Sequence, residues 1–403
     1  MSDNEILHSY LRLAFHTNRH FPGFIDAYFG EPATKERALD EPLMEPAELV
    51  VECTALLEFL GSLDLPEYRK NYLQKQAVAM HTIARKLGGE DIRYEDEVAL
   101  CFDIVPERLP EVMFETAIAE LDILLPGSGS VRERMAAYRA NYVIDRDQAR
   151  RAIDLMLHEC RQRTLAFVDL PPDETVEISF VQDQPWSGYN WYLGNARSRV
   201  DINTDLPIQA NDLLNLVAHE AYPGHHTEHC IKGERLFRGR GYRELSIQLI
   251  NTPECVIHEG IATLAESMIF PDSEAAEWKQ AVLYPSIGLN GDAARDGAIQ
   301  ERTTSLRAVA GNAALRRHAD GESAETVVDY LATYTLRSTD EARHRFSFID
   351  DPLWRPYVFT YHVGGDLIGR WLDASTSGER QTRFTRLLSE QVTPSQIRGE
   401  LPI

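Results

Sequence analysis

The chain has 403 residues, of which 43% are hydrophobic and 26% are charged, and its formal net charge is −22 at pH 7. This length and composition are ordinary for a globular protein with a large hydrophobic core. The negative charge argues against nucleic acid and against an anionic membrane as partners, because proteins bind both through basic patches.

The cysteines indicate the cellular compartment in which the protein resides. There are five of them, scattered along the chain and never spaced as CxxC, which does not fit a disulfide framework. We therefore expect a cytoplasmic protein. The N-terminus has no basic segment followed by an apolar one, and no run of about 18 apolar residues occurs, so we expect neither a signal peptide nor a transmembrane helix. The oligomeric state has no signature in the sequence.

The pattern of the first 170 residues predicts one helix after another. Apolar residues recur at helical spacing, and Pro-Gly or Gly-Ser pairs separate several of the segments. The predicted helices are 47–63, 67–87, 111–125, 131–144 and 147–168. We expect residues 1–170 to form a helical scaffold or lid, which could equally be a plain helical bundle.

The periodicity changes near Pro171. Apolar and polar residues alternate over 176–180, which is the period of a half-buried strand, and 189–193 and 199–203 predict two further short strands. A small sheet thus precedes the next helix. Its exposed edge could bind an extended peptide as an added strand, or the strands could be a purely structural hairpin.

Helical spacing returns at residue 209. One helix, capped by Asn211 or Asp212, runs to Tyr222, and a second begins with a polar cap and a proline at Asn251-Thr252-Pro253. Further helices are predicted at 294–317 and 324–334. We expect residues 171–403 to be the catalytic part, and we expect the two parts to form one continuous structural unit.

The first of these helices ends in a metal-binding pattern. His219-Glu220 follows an apolar run, and a Pro-Gly pair then separates it from His225 and His226. Imidazole and carboxylate groups are zinc ligands, and a His-Glu pair on a helix is half of the metallopeptidase signature in which the glutamate is a general base. On a continuous helix neither later histidine could share an ion with His219. A break at Pro-Gly would swing the next turn back towards His219, or it would simply end the helix.

A second His-Glu pair, His258-Glu259, supplies a further ligand. Glu259 lies in an apolar part of its helix, where a carboxylate is costly unless it is paired or bound to metal. Glu266, seven residues later, could hold a ligand histidine by its second ring nitrogen or could be a solvated carboxylate. The pair His225 and His229 has the alternative i, i+4 spacing but lacks an obvious third ligand.

These stretches resemble a known family. HEAYPGHH resembles the HExxPGHH signature of a bacterial zincin-like family catalogued as a domain of unknown function, which is similar to carboxypeptidase Taq and to the thimet oligopeptidase group of zinc peptidases. VIHEGIATLAE resembles the helix that carries the glutamate ligand. RRHADGESAETVVDYL and YVFTYHVGG resemble two later family segments, which places His318, Tyr361 and Gly364 in register. The resemblance covers roughly residues 210 to 372.

The resemblance implies a mainly α-helical, zincin-like fold, similar to neurolysin and carboxypeptidase Taq, with a small β-sheet beside the active-site helix. For single residues it implies zinc ligation by His219, His225 and Glu259, general-base catalysis by Glu220 and oxyanion stabilisation by Tyr361. This chain departs from the peptidase groups by two extra residues before Gly224, which leaves His226 as the alternative second ligand. The segment before His318 also lacks an Asp and a Gly of the family pattern.

We therefore expect a zinc-dependent metallohydrolase, a carboxypeptidase or oligopeptidase that cleaves peptides or small amides with a metal-activated water. Glu220 would be the general base, and Tyr361, together with His258 or His362, would donate hydrogen bonds to the oxyanion. Two alternatives use the same residues: a non-haem Fe(II) oxygenase with two histidines and one carboxylate, and a catalytically inactive metal-binding protein.

Three arginines lie shortly before Tyr361, namely Arg343, Arg345 and Arg355. An arginine can bind the carboxylate of a substrate through two parallel hydrogen bonds, which would make the enzyme a carboxypeptidase. Each could equally be an ordinary surface charge.

Overall fold

The computed structural model describes residues 3–184, 186–205 and 207–402, and it is mainly α-helical. The helices before the first large sheet are Asp3–His20 (α1), Pro32–Asp40 (α2), Pro46–Ser62 (α3), Glu67–Leu87 (α4), Tyr94–Phe102 (α5), Glu111–Leu124 (α6), Val131–Ala140 (α7) and Arg146–Leu165 (α8). All five helices predicted in this part are confirmed. The helix predicted over 131–144 ends four residues earlier, and Val143 then forms an isolated β-bridge with Gln209.

The predicted three-stranded sheet is also confirmed. Its strands are Thr175–Val181 (β2), Gly188–Tyr192 (β3) and Arg197–Asn203 (β4), in the spatial order β2-β4-β3. Strand β4 pairs in parallel with β2 and antiparallel with β3, so β3 lies at an edge of the sheet.

One expectation about the first part is wrong, because it is not purely helical. Ile25–Tyr28 forms a strand (β1) that pairs antiparallel with Ile247–Leu249 (β5). The four residues of β1 are all half-buried, so they show no inside-outside alternation that a sequence pattern could reveal. The partner strand lies far away in the chain, and only the folded structure brings the two together.

The later helices are Ala210–Glu220 (α9), His225–Lys232 (α10), Pro253–Ile269 (α11), Glu274–Trp278 (α12), Tyr284–Ser286 (α13), Ala293–Thr304 (α14), Val309–His318 (α15), Ala324–Tyr334 (α16), Thr339–Asp350 (α17), Val358–Asp373 (α18), Ser377–Ser389 (α19) and Pro394–Gly399 (α20). The segment predicted as one helix over 294–317 is two helices, α14 and α15, joined by the 3₁₀ turn Ser305–Ala308.

The main hydrophobic core contains side chains from both sides of residue 170, such as Phe15, Phe102, Val256 and Phe359. A buried ion pair also joins the two parts. The guanidinium of Arg69 on α4 donates to both carboxylate oxygens of Glu244, at 2.8 and 2.9 Å. The first 170 residues therefore pack directly on the elements that carry the His-Glu pairs.

Helices α11 and α18 approach each other unusually closely through two glycines. A Cβ atom on Gly364 would lie 2.4 Å from the backbone oxygen of Val256, and one on Gly260 would lie 2.7 Å from the backbone oxygen of Gly364. Because no side chain separates the two backbones, α18 brings Tyr357 and Tyr361 to the segment of α11 that carries Glu259. The Tyr-x-x-Gly pattern is thus a packing requirement.

Gly364→Ala tests this close approach. We expect a lower melting temperature and a loss of about 1–3 kcal/mol in the free energy of unfolding, the usual cost of overpacking. Gly369→Ala is the matched control on the same helix, since its Cβ atom would lie 3.9 Å from Leu264 in ordinary contact. Equal stability of the two variants, measured by thermal and denaturant unfolding, would contradict the role given to Gly364.

Candidate metal centre

The chain between α9 and α10 is built around Gly224. Its backbone N–H donates to the carbonyl oxygen of Ala218 at 3.0 Å, and a Cβ atom at this position would lie 1.8 Å from the backbone oxygen of His219. Only glycine fits such a contact. The Pro-Gly pair therefore ends α9 at Glu220 and folds the first turn of α10 back against the last turn of α9.

This break brings two histidines and one glutamate together. His219 Nε2 lies 3.4 Å from Glu259 Oε2, His225 Nε2 lies 3.9 Å from Glu259 Oε1, and the two imidazole rings are perpendicular with centroids 4.8 Å apart. One ligand atom from each of the three residues lies within 4.8 Å of the others. Ligands about 2.1 Å from a tetrahedral zinc are separated by about 3.4 Å, so the cluster fits one such ion.

Glu259 carries a buried oxygen that suits a metal. Its Oε1 accepts a hydrogen bond of 2.9 Å from the hydroxyl of Tyr357, whereas its Oε2 has no hydrogen-bond partner in the described part of the chain. Burial by itself would raise the pKa of Glu259, but His219, His225 and Tyr357 together hold this pKa below its ordinary value. The carboxylate is thus charged, oriented by Tyr357 and open on one oxygen.

His226, the alternative second ligand, lies outside this cluster. Its Nδ1 is 2.8 Å from Ser198 Oγ, and its Nε2 is 2.9 Å from Glu174 Oε2, so both ring nitrogens are occupied. Successive residues of a helix point about 100° apart, and His226 therefore faces β4 when His225 faces Glu259. These two hydrogen bonds hold the chain break between α9 and α10 against the sheet.

Glu220 lies beside the three clustered residues and is not one of them. Its Oε1 is 3.9 Å from His219 Nε2, and its backbone oxygen accepts a hydrogen bond of 2.7 Å from Asn190 on the edge strand β3. Burial raises the pKa of Glu220 to about 7; nearby Glu259 adds to this increase and His219 opposes it. A carboxyl with such a pKa can both accept and release a proton near neutral pH.

Tyr361 lies on α18, one helical turn after Tyr357, and their rings meet edge to face with centroids 5.7 Å apart. Burial raises the pKa of Tyr361 well above its usual value, and the charges of Glu259 and Glu220 raise it further. The phenol is therefore protonated. Its hydroxyl has no hydrogen-bond partner among the described residues and is available as a donor.

The two histidines expected to assist Tyr361 have other surroundings. His258 Nε2 lies 3.2 Å from Glu254 Oε1 and 3.3 Å from Glu228 Oε1, in a buried charged group that also contains Lys232. His362 packs against α15, where a Cβ atom on Gly311 would lie 2.6 Å from its ring. Neither ring points towards Glu259 in the way that the rings of His219 and His225 do.

Three other sequence candidates also lie outside the cluster. His229 Nδ1 is 2.8 Å from Gln248 Nε2, although its ring is nearly parallel to that of His225. Glu266 has no hydrogen bond to a described histidine, and His318 Nε2 is 2.9 Å from the backbone oxygen of Ile349. Tyr357, in contrast, contacts the site directly and was missed; its position four residues before Tyr361 was the available signal.

Two of the three arginine candidates have partners elsewhere. Arg343 makes two hydrogen bonds of 3.0 Å to the exposed carboxylate of Glu325. Arg355 donates to Glu97 at 2.5 Å. Arg345 alone of the three makes no ion pair with a described residue.

Comparison with known proteins gives a fold relationship and no family. No protein-family model and no curated protein matches the chain. Among solved structures, the chain is similar to a "putative lipoprotein" from Colwellia psychrerythraea, with a TM-score of 0.55 and 16% identity over 88% of this chain and 66% of that one. It is also similar to a "putative lipoprotein of unknown function" from Shewanella oneidensis, with a TM-score of 0.50 and 14% identity over 91% of this chain and 74% of that one.

These similarities are at the level of the fold alone, since both identities are low, and the chain spans somewhat less than two thirds of the first of the two structures. Within the described residues, no helix combines the length and the apolar character needed to cross a membrane.

Gly224→Ala tests whether the backbone contact positions His225. The added methyl group has no room against the His219 carbonyl, so we expect the first turn of α10 to move and the affinity for zinc to fall by about 10-fold or more, since ligand geometry tolerates only small displacements. Metal content after purification and competition with a chelator give the affinity. Gly297→Ala, at a position with no atom within 4 Å, should bind zinc normally. Full occupancy in Gly224→Ala would rule out this role.

Tyr357→Phe should weaken zinc binding by about 10–100-fold, the usual effect of removing a hydrogen bond that orients a ligand. Tyr361→Phe is the paired control on the same helix, because its hydroxyl makes no hydrogen bond to Glu259. We expect its zinc affinity to equal that of the wild type in the same chelator competition. Equal affinities in both variants would show that Tyr357 does not orient Glu259.

Proposed function

We propose that the protein is a zinc-dependent metallohydrolase that cleaves peptide bonds, a carboxypeptidase or oligopeptidase. The observation that carries this proposal is the combination of three clustered ligand atoms, from His219, His225 and Glu259, with a neighbouring carboxyl that is not part of the cluster. Two imidazoles and one carboxylate leave a fourth position open in a tetrahedral site, which is the arrangement of catalytic zinc. Glu220 stands where a general base is needed.

Each residue of the site has a role in the proposed reaction. A zinc ion held by His219, His225 and Glu259 would polarise the scissile carbonyl and lower the pKa of a water molecule. Glu220 would accept a proton from the attacking water and pass it to the leaving amine, so that hydroxide adds to the carbonyl carbon and the carbon–nitrogen bond then breaks. Tyr361, with its free hydroxyl, donates a hydrogen bond to the oxyanion.

The substrate that we propose is a peptide or a similar small amide. The edge strand β3 supports this choice, because Asn190 on this strand is hydrogen-bonded to the backbone of Glu220. An extended peptide added to a free sheet edge would pass directly beside the general base. The net charge of −22 continues to argue against nucleic acid and membrane partners.

Two observations favour a hydrolase over the alternatives that share its ligands. An oxygenase or an inactive metal-binding protein does not need a second buried carboxyl, such as that of Glu220, beside the ligand cluster, nor an unpaired phenol such as that of Tyr361. Metal analysis of the purified protein distinguishes the classes. Iron with oxygen-dependent turnover would favour the oxygenase.

We propose a cytoplasmic location on the chemistry of the thiols. All five cysteines are free and buried, and burial raises the pKa of each thiol, for example that of Cys53 to about 12. Unpaired thiols suit a reducing compartment.

Glu220→Gln is the decisive variant for this proposal. It keeps the size and one hydrogen-bond acceptor but removes the base, and we expect hydrolysis to fall about 10²–10⁴-fold while zinc content stays unchanged. A suitable substrate comes first from a screen of short peptides with free and blocked C-termini. Glu107→Gln, which removes an exposed carboxylate, is the control. Wild-type turnover by zinc-loaded Glu220→Gln would end the peptidase proposal.

A further inference from the structure

The edge strand β3 has two faces, and only one of them packs on helix α9. The side chain of Asn190 donates to the backbone oxygen of Glu220 at 2.7 Å, and a Cβ atom on Gly188 would lie 3.3 Å from Glu220 Oε1. Successive side chains of a strand point to opposite faces of the sheet. Tyr189 and Trp191 therefore project from the other face, on a strand that runs directly past Glu220.

Aromatic rings cover that second face. The ring of Tyr189 contacts two indoles, with centroid distances of 5.2 Å to Trp186 and 4.7 Å to Trp191. All three side chains are half-buried, so each of them keeps part of its surface open. The faces of such rings are electron-rich and attract cations. We call Trp186, Tyr189 and Trp191 the aromatic row.

A carboxylate from a distant strand reaches the aromatic row. The register of β1 against β5 shifts between Ile25 and Ala27, so Asp26 is an extra residue in β1. A bulge of this kind turns a side chain out of the regular alternation of the strand. Asp26 thereby reaches β3, where the hydroxyl of Tyr189 donates a hydrogen bond to Asp26 Oδ1.

The Asp26 carboxylate has no cationic partner. Its Oδ2 accepts no hydrogen bond, and neither oxygen forms an ion pair within the described part of the chain. Burial raises the pKa of Asp26 to about 6, and the hydrogen bond from Tyr189 opposes this increase, so the half-buried group is largely ionised at neutral pH. A partly buried charge without a partner costs free energy, which an incoming cation would offset.

Asp201 faces the same side of the sheet, but its charge is already paired. It accepts hydrogen bonds from the guanidinium of Arg199 at 2.9 and 3.0 Å and from the indole of Trp191 at 2.8 Å. The charges of Asp201 and Arg199 therefore offset each other. Asp26 has no such partner, which leaves an uncompensated negative charge beside the aromatic row.

The β1–β5 pair connects the Asp26 side of this place to the candidate metal centre. Ala27 pairs with Gln248, whose Nε2 lies 2.8 Å from His229 Nδ1. The ring of His229 is nearly parallel to that of His225, with centroids 6.2 Å apart. Asp26 thus follows a strand pair that contacts the centre on one side, and it is hydrogen-bonded on the other side to the strand that passes Glu220.

We propose that Asp26 and the aromatic row bind the positively charged side chain of a lysine or arginine in the peptide substrate, next to the residue whose bond is cleaved. The inference rests on the proposed function and narrows its substrates to peptides with such a residue. A peptide added to the free edge of β3 would present its side chains to alternate faces of the sheet. The residue that faces α9 would meet Glu220, and its neighbour would face Asp26.

A long side chain suits this place better than the N-terminal ammonium of a peptide. Tyr189 reaches Asp26 with the hydroxyl at the far end of its side chain. A lysine on an adjacent strand has a side chain of similar length and would carry its ammonium to the same level above the sheet. A terminal ammonium lies in the line of the strand instead. The side-chain cation would gain a charge-assisted hydrogen bond and contact with the aromatic faces.

Binding can be measured without turnover in the zinc-loaded Glu220→Gln protein by calorimetry. The probes are N-acetylated penta-alanine peptides with a free C-terminus, in which lysine or norleucine replaces each alanine in turn. We expect lysine to bind about 10-fold or more tightly than norleucine at one position and not at the adjacent positions, because adjacent side chains point to opposite faces. Adding Asp26→Asn should remove this preference, and Asp26→Glu should restore part of it.

Asp154→Asn is the matched control, because it removes the charge of an exposed carboxylate on α8. It should leave the lysine preference unchanged. Tyr189→Phe breaks the same hydrogen bond as Asp26→Asn but keeps the charge and the ring, so it should bind lysine peptides more tightly than norleucine peptides. An equal loss of preference in Tyr189→Phe and Asp26→Asn would show a structural bridge and overturn the proposal.

Three further results would overturn it. The first is equal binding of lysine and norleucine at every position, or no binding of any peptide. The second is the same gain from lysine at all positions, which would reflect only general attraction to the acidic chain. The third is a norleucine peptide without the acetyl group that binds as tightly as the best lysine peptide, since its terminal ammonium would then be the ligand.

Hydrolysis of the same peptides by the wild-type protein separates this inference from the proposed function. Lysine-selective binding that depends on Asp26, without hydrolysis of any peptide, would sink the peptidase and keep the cation site. Equal hydrolysis of lysine and norleucine peptides at every position would keep the peptidase and sink the cation site.

Discussion

The contact between Gly224 and the last turn of α9 is the constraint on which the cluster of His219, His225 and Glu259 depends. A helix that continued past Glu220 would carry His225 away from His219, and a side chain at position 224 would collide with the His219 carbonyl. The glycine allows the backbone to turn at the place where the imidazole rings of His219 and His225 converge. His226 completes the arrangement, because its hydrogen bonds to Ser198 and Glu174 fasten the turn to the sheet and leave His225 facing Glu259.

The position of Glu259 depends on close packing between two helix backbones. Gly260 and Gly364 let α11 and α18 touch, and this contact sets Tyr357 against Glu259 and Tyr361 near Glu220. Burying a carboxylate in such an interface costs several kcal/mol unless it is hydrogen-bonded or paired. Tyr357 and the two histidines offset this cost together.

The molecule is strongly acidic, and several of its carboxylates lie near the cluster. Carboxylates dominate the chain, but three of those near the cluster are individually held: Glu259 by Tyr357, Glu254 by Tyr72 at 2.6 Å and Glu228 by Lys232 at 2.7 Å. These pairs fix the side chains behind the ligands.

The sequence alone was enough for the features that depend on local chemistry. Strong helical periodicity placed α4 and α16 at their observed ends, alternation placed the three strands of the larger sheet, and the broken His-Glu motif with Glu259 pointed to the clustered ligands.

The tertiary structure decided the features whose partners are distant in the chain. These are the pairing of β1 with β5, the position of His225 rather than His226 beside Glu259, and the hydrogen bond from Tyr357. The periodicity of a segment predicts which face of its helix or strand is buried. Hydrogen bonds and ion pairs form between side chains that are distant in the sequence, and only the packing of the folded chain brings these side chains to within about 3 Å of each other.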